Sequence, residues 1–137
     1  MIGNWDEVPL VVSGAHLEGL ALNLQLLERG GRLVTKTRSA PCYRMFVVEA
    51  GGGLPERPAM IRDEREGGAL EGEVWVLTRE AFGDFVAAIS GSLGIGKVLL
   101  DDGREVPGFI AEPRAAEGAR EITELGGWRA YLRGKSE

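Results

Sequence analysis

The apolar run near the start of the chain and the leucines behind it predict the first two elements. The segment VPLVVS (8–13), bounded by Gly14, predicts a short buried strand. Leucines then recur at the three- and four-residue spacing of a helix face, which predicts a helix over 17–29 that ends at Gly30. The leucines on this face are Leu17, Leu20, Leu24 and Leu27.

Strand-forming segments dominate the middle of the chain. β-Branched and aromatic residues bounded by glycine and proline predict four strands. The stretch AGGGLPERP (50–58) predicts a loop, because glycine and proline disfavour a strand ladder. The four predicted strands cover residues 32–38, 43–49, 59–63 and 70–77.

A helix and a hairpin are predicted next. Thr78 is a favourable N-cap and predicts a helix over 79–89. Asp-Gly at 102–103 lies between KVLL and EVPGFI and predicts a hairpin over 97–111, because this pair tolerates the positive φ angles of a tight turn. The tail over 114–133 is predicted to be mostly helical or irregular. The apolar helix face comprises Phe82, Phe85, Val86 and Ile89, and the tail anchors are Trp128, Tyr131 and Leu132.

This order of elements predicts the fold class. Six or seven short strands mixed with two or three helices indicate a small α+β, barrel-like domain. With 137 residues, 44% of them hydrophobic, residues 1–137 are expected to form a single domain. Many of the 21 glycines occur in scattered pairs, which is typical of tight corners between short strands.

Composition excludes several classes of function. A net charge of −5 without a basic stripe argues against a nucleic-acid partner. No apolar stretch approaches the ~20 residues of a membrane span, and no signal peptide is recognisable. The single cysteine cannot form an internal disulfide, which indicates a reducing, cytoplasmic location. A single histidine and a single cysteine, Cys42, cannot form a metal cluster, and the sequence predicts neither a metal site nor a cofactor.

One glycine-rich segment has the spacing of a phosphate-binding loop. GSLGIGK (91–97) matches Gly-x-x-x-x-Gly-Lys. Val98 follows where such a loop has Ser or Thr, and KVLLDDG is predicted to be a strand entering a hairpin rather than a helix. Nucleotide binding at this segment is therefore not expected.

The corner between the first strand and the Leu-rich segment is the candidate ligand site. Backbone N–H groups of Ala15, His16 and Leu17 at a helix start would suit a carboxylate, and Gly14 would allow a close approach. His16, the chain's single histidine, could exchange a proton with that ligand. The same residues also fit an ordinary turn with a packed histidine, and the corner alone does not separate the two interpretations.

Six segments together resemble the C-terminal domain of allophanate hydrolases. They are GAHLEGLALN (14–23), APCYRMFVV (40–48), EGEVWVLTREAFGDFVAAI (71–89), LGIGKVLLDDG (93–103), GFIAE (108–112) and REITELGGWRAYL (120–132). The resemblance covers most of the chain, and its Gly-Ala-His-Leu and Gly-Gly-Trp-Arg-x-Tyr strings are fairly specific. It implies a γ-glutamylcyclotransferase-like mixed β-barrel with peripheral helices, in which Ser13-Gly14-Ala15-His16 occupies the substrate-binding corner.

Two departures limit what the resemblance implies. The cyclotransferases use a glutamate as acid/base, but AAISGSLG (87–94) carries no carboxylate at the equivalent place. Allophanate hydrolases also join this domain to a larger amidase half, which this sequence lacks. γ-Glutamyl cyclotransfer is therefore the least favoured activity, and hydrolysis of allophanate does not follow from the resemblance.

The resemblance implies a small carboxylated urea- or carbamate-type ligand, with His16 as the proton-transfer group. Residues in the matching segments are then expected to bind the ligand: Tyr43, Arg44, Trp128 and Arg129. Binding could be accompanied by decarboxylation or hydrolysis. The alternative is a non-catalytic ligand-binding or assembly module for a separate amidase. The sequence leaves monomer and homodimer open.

Overall fold

Five strands of the protein form the larger of two sheets. The structure is a computed structural model that describes residues 6–89 and 93–136. The sheet order is β2-β5-β1-β7-β6, antiparallel except for the β1–β7 pair, where Val11 lies opposite Gly108. Its strands are β1 (Glu7–Val12), β2 (Arg32–Arg38), β5 (Glu71–Thr78), β6 (Leu93–Leu99) and β7 (Glu105–Ala111).

A smaller sheet of order β4-β3-β8 packs against the first. It contains β3 (Tyr43–Val48), β4 (Arg57–Arg62) and the short β8 (Arg120–Glu121). The Tyr43 hydroxyl accepts a 2.8 Å hydrogen bond from the Leu99 N–H, which connects β3 directly to β6. The core between these elements includes Leu10, Met45 and Trp75, all at most 2% exposed.

The predicted α+β class is confirmed, but the expected single barrel is wrong. Segment 43–49 belongs to the second sheet rather than to the sheet that contains β1 and β5. β4 packs beside β7, and within residues 6–89 and 93–136 no hydrogen-bonded ladder joins these two strands. Pro58 is consistent with this edge position of β4, because proline cannot donate to a neighbouring strand.

The predicted helix over 17–29 is also wrong in most of its length. Only α1 (Leu24–Leu27) is helical, and Leu24 and Leu27 are 59% and 51% exposed. Gly19 has a φ of +80°, which breaks a right-handed helix. The Leu22 N–H bonds to the Ala15 carbonyl instead of a helical partner, so tertiary contacts override the leucine spacing.

The second half of the chain follows its predicted pattern closely. Helix α2 (Arg79–Ala87) begins where Thr78 caps the Ala81 N–H, and it buries Phe85 with Phe82 and Ile89 partly covered. Gly103, with a φ of +91°, lies in the predicted turn between β6 and β7. β6 begins at Leu93, four residues before the predicted hairpin, and β4 begins two residues before its predicted start.

The tail contains three short turns and strands before its final helix. They are the 3₁₀ turns at Pro113–Ala116 and Thr123–Leu125 and strand β8; the final helix is α3 (Trp128–Ser136). Gly94 to Lys97 lie inside strand β6, as expected if this segment is not a phosphate-binding loop. Positions 91 and 92 lie outside the described residues. Among the described helices, none is long and apolar enough to cross a membrane.

Candidate functional site

A pocket opens where the chain leaves β1. Its space is about 510 Å³, the open mouth included. The residues that follow β1, from Ser13 to His16, form part of its wall. β4 contributes Arg57, and β7 contributes Phe109. The pocket therefore contains the corner that the sequence singled out, and it adds an arginine.

His16 is held tightly at this pocket. Its Nε2 lies 2.8 Å from Gln25 Oε1. Its ring stacks on Phe109 with centroids 5.1 Å apart and meets the edge of Phe85 at 5.2 Å. With Nε2–H donating to the Gln25 oxygen, Nδ1 is the ring nitrogen left to accept a proton.

The surroundings of His16 favour its neutral form. Burial lowers the pKa of His16 below its usual 6.5, and nearby Arg29 lowers it further, although the Gln25 hydrogen bond opposes both effects. At pH 7 the imidazole is thus neutral in the unliganded protein. An anion in the pocket would favour the protonated form and draw a proton onto the ring.

This lowered pKa predicts a pH-dependent stability. In the unfolded chain His16 takes up a proton near pH 6.5, whereas in the folded chain its lower pKa keeps the imidazole neutral at that pH. The free energy of unfolding should therefore fall as the pH drops from about 7 through the folded pKa. Urea unfolding at intervals between pH 7.5 and 5 measures this loss. His16→Asn should reduce the slope, because the chain has no other histidine. Parallel curves for the two proteins would contradict the prediction.

The turn that carries His16 is fixed from within by Asn23. The Asn23 side chain, 4% exposed, donates from Nδ2 to the His16 carbonyl at 2.9 Å. Its Oδ1 accepts from the Gly19 N–H at 3.4 Å. These two bonds replace the helical hydrogen bonds that the sequence pattern predicted for this segment.

A buried ion pair fixes the same turn from outside. Glu73, 1% exposed, accepts from the Glu18 N–H at 2.8 Å and from Trp75 Nε1 at 3.1 Å. Arg129 Nη2 donates to Glu73 Oε2 at 3.0 Å and to the Glu18 carbonyl at 2.8 Å. Arg129 therefore stabilises the turn, because its guanidinium is hydrogen-bonded to Glu73 and to the Glu18 carbonyl.

The predicted corner amides are only partly available to a ligand. The Leu17 N–H bonds to the Gly14 carbonyl at 3.0 Å, and the Leu17 side chain is fully buried. Gly14 is required for another reason: an added Cβ would lie 2.4 Å from Pro58 Cγ. Since α1 is one turn long and begins at Leu24, no helix start adjoins the corner. Gly14 and Ala15 line the pocket itself.

Three other predicted residues lie away from the pocket. Tyr43 and Trp128 are 0% and 1% exposed, and both pack in the core. Arg44 Nη2 and Nε bond both oxygens of Glu121, at 2.7 and 3.0 Å, and Asp63 lies 3.4 Å from Nη1. The structure thus brings together Gly14, Ala15 and His16, and holds the other expected residues in packing or ion-pair contacts.

Arg57 is a charged pocket residue that sequence reasoning missed. It is half-buried, and its Nη1 donates to the Pro55 carbonyl at 3.1 Å. Within residues 6–89 and 93–136 it has no carboxylate partner. The sequence predicts a loop for this segment. Nothing in the sequence distinguishes an arginine that lines a pocket from one that is exposed to solvent in such a loop.

The fold is α+β, with two sheets and a few peripheral helices, and it is shared with more distant solved structures. An aig2-like protein from Mus musculus, described with the name ggact, shares the fold at a TM-score of 0.51 and 16% identity, over 80% of this chain and 78% of that one. At that identity the likeness concerns the fold alone.

The chain belongs to the allophanate hydrolase C-terminal domain family, which matches residues 8–133. It is 35% identical over 128 residues to urea amidolyase from Saccharomyces cerevisiae, across 91% of this chain and 7% of that protein. An allophanate hydrolase structure from Kluyveromyces lactis has a TM-score of 0.87 at 32% identity, over 93% of this chain and 21% of that one. A uropathogenic E. coli-specific protein aligns over 92% of this chain and 95% of its own, at 36% identity and a TM-score of 0.84.

Proposed function

We propose that the protein binds a small carboxylated urea- or carbamate-type compound in the corner pocket and exchanges a proton with it through His16. The observation that carries the proposal is the presence of Arg57 and His16 on one pocket. A guanidinium without a carboxylate partner suits a ligand carboxylate, and a histidine on the same pocket suits a nitrogen or oxygen elsewhere on the ligand.

The relatives supply the direction of the chemistry. Relatives that contain this domain are named urea amidolyase and allophanate hydrolase, and these names support a ligand related to urea or allophanate. The chain spans about 7% of the curated relatives, so their activities enter here only as a proposal. A cytoplasmic location remains a prediction.

Loss of CO₂ from a carbamate is a reaction that this geometry supports. The carbon–nitrogen bond breaks, its electron pair stays on nitrogen, and nitrogen takes up a proton as CO₂ leaves. The bound anion favours protonated His16, which then delivers the proton and returns to its neutral form. Arg57 would hold the carboxylate during binding, and the buried Phe85 ring with the partly buried Phe109 ring would limit solvent at the imidazole.

A second function uses the same pocket without turnover. The chain would then be a ligand-binding or assembly module that works with a separate amidase, since its relatives carry this domain within much longer proteins. γ-Glutamyl cyclotransfer stays the least favoured activity, because residues 87–94 supply no carboxylate.

Binding at Arg57 is tested with malonate, a stable small dicarboxylate. The single histidine gives one set of imidazole NMR signals, and malonate should shift them. Arg57→Gln should weaken malonate binding roughly 10–100-fold, the share of a hydrogen bond to a charged group.

Arg62→Gln is the matched control for this test. Arg62 lies on the same strand but bonds to Glu64 outside the pocket, so this variant should bind malonate like the wild type. Equal affinities for wild type and Arg57→Gln would overturn the proposed role of the pocket.

A further inference from the structure

The walls of the corner pocket are predominantly apolar. Among the lining residues within 6–89 and 93–136, only Ser13, His16 and Arg57 have polar or charged side chains. The apolar part of the lining comes from both sheets and from the turn after β1. It includes Val11, Leu22, Met45, Met60, Phe109 and Ile110.

Such walls match poorly with a ligand that is polar on every side. A carboxylated urea presents N–H and carbonyl groups along its whole length, and those facing Met45 or Met60 would lose water without gaining a hydrogen bond. Burying an uncompensated amide or hydroxyl is unfavourable, whereas a methyl or methylene group gains from the same contact. The lining thus favours a ligand with one charged end and one apolar end.

Arg57 identifies the charged end. A guanidinium has five N–H donors, and the structure assigns one hydrogen bond of Arg57 to the Pro55 carbonyl. The remaining donors can take a carboxylate in a two-pronged arrangement. His16, also on the lining, would lie near the atoms that follow the carboxylate.

We infer that the ligand is a monocarboxylate, or an N-carboxylated amine, that carries a short branched alkyl group. This inference rests on the proposed carboxylate site and specifies its substrate class: the alkyl group packs against the Leu22, Met60 and Ile110 wall while the carboxylate pairs with Arg57. Unsubstituted allophanate-like compounds, which lack that group, are then poorer ligands for this chain.

Three stable carboxylates test the substrate class: acetate, 3-methylbutanoate and malonate. Each is titrated into the intact chain while the imidazole NMR signals of His16 are followed. Each added apolar carbon is worth about fourfold in affinity when fully buried, so 3-methylbutanoate should bind at least roughly tenfold more tightly than acetate and more tightly than malonate.

The possible results separate this inference from the proposed function. Malonate binding more tightly than 3-methylbutanoate, or all three binding equally, would overturn the alkyl specificity and leave a carboxylate site in place. No shift with any of the three would reject the carboxylate site and the inference together.

A pair of matched substitutions locates the alkyl group. Ile110→Thr should lower the preference for 3-methylbutanoate over acetate at least about threefold, because it removes a methylene-sized contact and adds a hydroxyl to the wall. Val34→Thr, a similar change at a side chain 52% exposed on β2, should leave the preference unchanged.

The preference is a ratio of two affinities in one variant, so it is insensitive to the fraction of folded protein. If Ile110→Thr unfolds, Leu22→Thr at the half-buried turn provides the same test. An unchanged preference in the folded wall variant would contradict the placement of the alkyl group.

Discussion

Replacing His16 with asparagine is expected to slow CO₂ release from an alkyl-carbamate or carboxylated urea by roughly 10²–10⁴-fold, the usual share of a positioned acid–base group. Asparagine keeps a polar amide near the position of Nδ1, although it is too short to replace the Nε2 bond to Gln25, and it does not titrate near pH 7. Ligand affinity should change far less than the rate, because Arg57 remains in place.

The rate comparison requires both proteins across pH 5 to 8. The wild-type rate should depend on pH through the protonation of liganded His16, and the variant rate should not. Gln25→Leu is a useful companion, since it removes the partner of Nε2 without touching the pocket lining and should change the pH profile of the rate. An unchanged rate in His16→Asn would end the catalytic proposal, and no measurable rate in either protein would favour the binding module.

Arg129→Met is expected to lower the free energy of unfolding by about 3 kcal/mol, toward the lower end for breaking a buried pair. The substitution leaves Glu73, whose side chain is 2% exposed, without its cation. The value is at the lower end because Arg129 itself is 25% exposed and Glu73 keeps two N–H donors. Urea denaturation, or a melting temperature lower by roughly 10 °C, measures the effect.

Two further variants make this prediction specific. Arg104→Met removes an exposed pair with Asp102 and should cost no more than about 1 kcal/mol. Adding Glu73→Gln to Arg129→Met should recover part of the loss, because glutamine keeps an acceptor for Trp75 and Glu18 without a buried charge. Equal effects of Arg129→Met and Arg104→Met would show that the buried pair contributes little.

The network around Glu73 also connects stability to the site. Glu73 and Arg129 hold Glu18, two residues from His16, while Asn23 holds the His16 carbonyl. The turn that carries His16 therefore depends on β5 and on α3, which are distant from it in sequence. We expect His16 NMR signals to move in folded Arg129→Met even though the substitution lies outside the pocket lining.

Local patterns were sufficient for the elements whose stability is local. Thr78, the apolar face with Phe85, and Asp-Gly at 102–103 each act within a few residues, so the sequence predicted α2 and the β6–β7 hairpin. The family was also recognisable from sequence, because Gly-Ala-His-Leu and Gly-Gly-Trp-Arg-x-Tyr are specific strings.

The turn at 17–23 shows where local reasoning ends. Its leucines have helical spacing, but hydrogen bonds from Asn23 and Glu73 and the left-handed Gly19 hold a different backbone. Arg44 and Arg129, which the resemblance implied as ligand-binding residues, lie outside the pocket lining for the same kind of reason. Arg44 is bonded to Glu121, a residue 77 positions away that only the β3–β8 pairing brings close.

By itself, the sequence determined the α+β class, most strand positions, the family and His16 as the residue of interest, because each depends on composition, short-range periodicity or a contiguous string. The tertiary structure decided that the strands form two sheets, that Arg57 shares the pocket with His16, and that the pocket walls are predominantly apolar. These features depend on contacts between segments far apart in the chain, and the hydrogen-bonding and burial that select such contacts leave no local pattern.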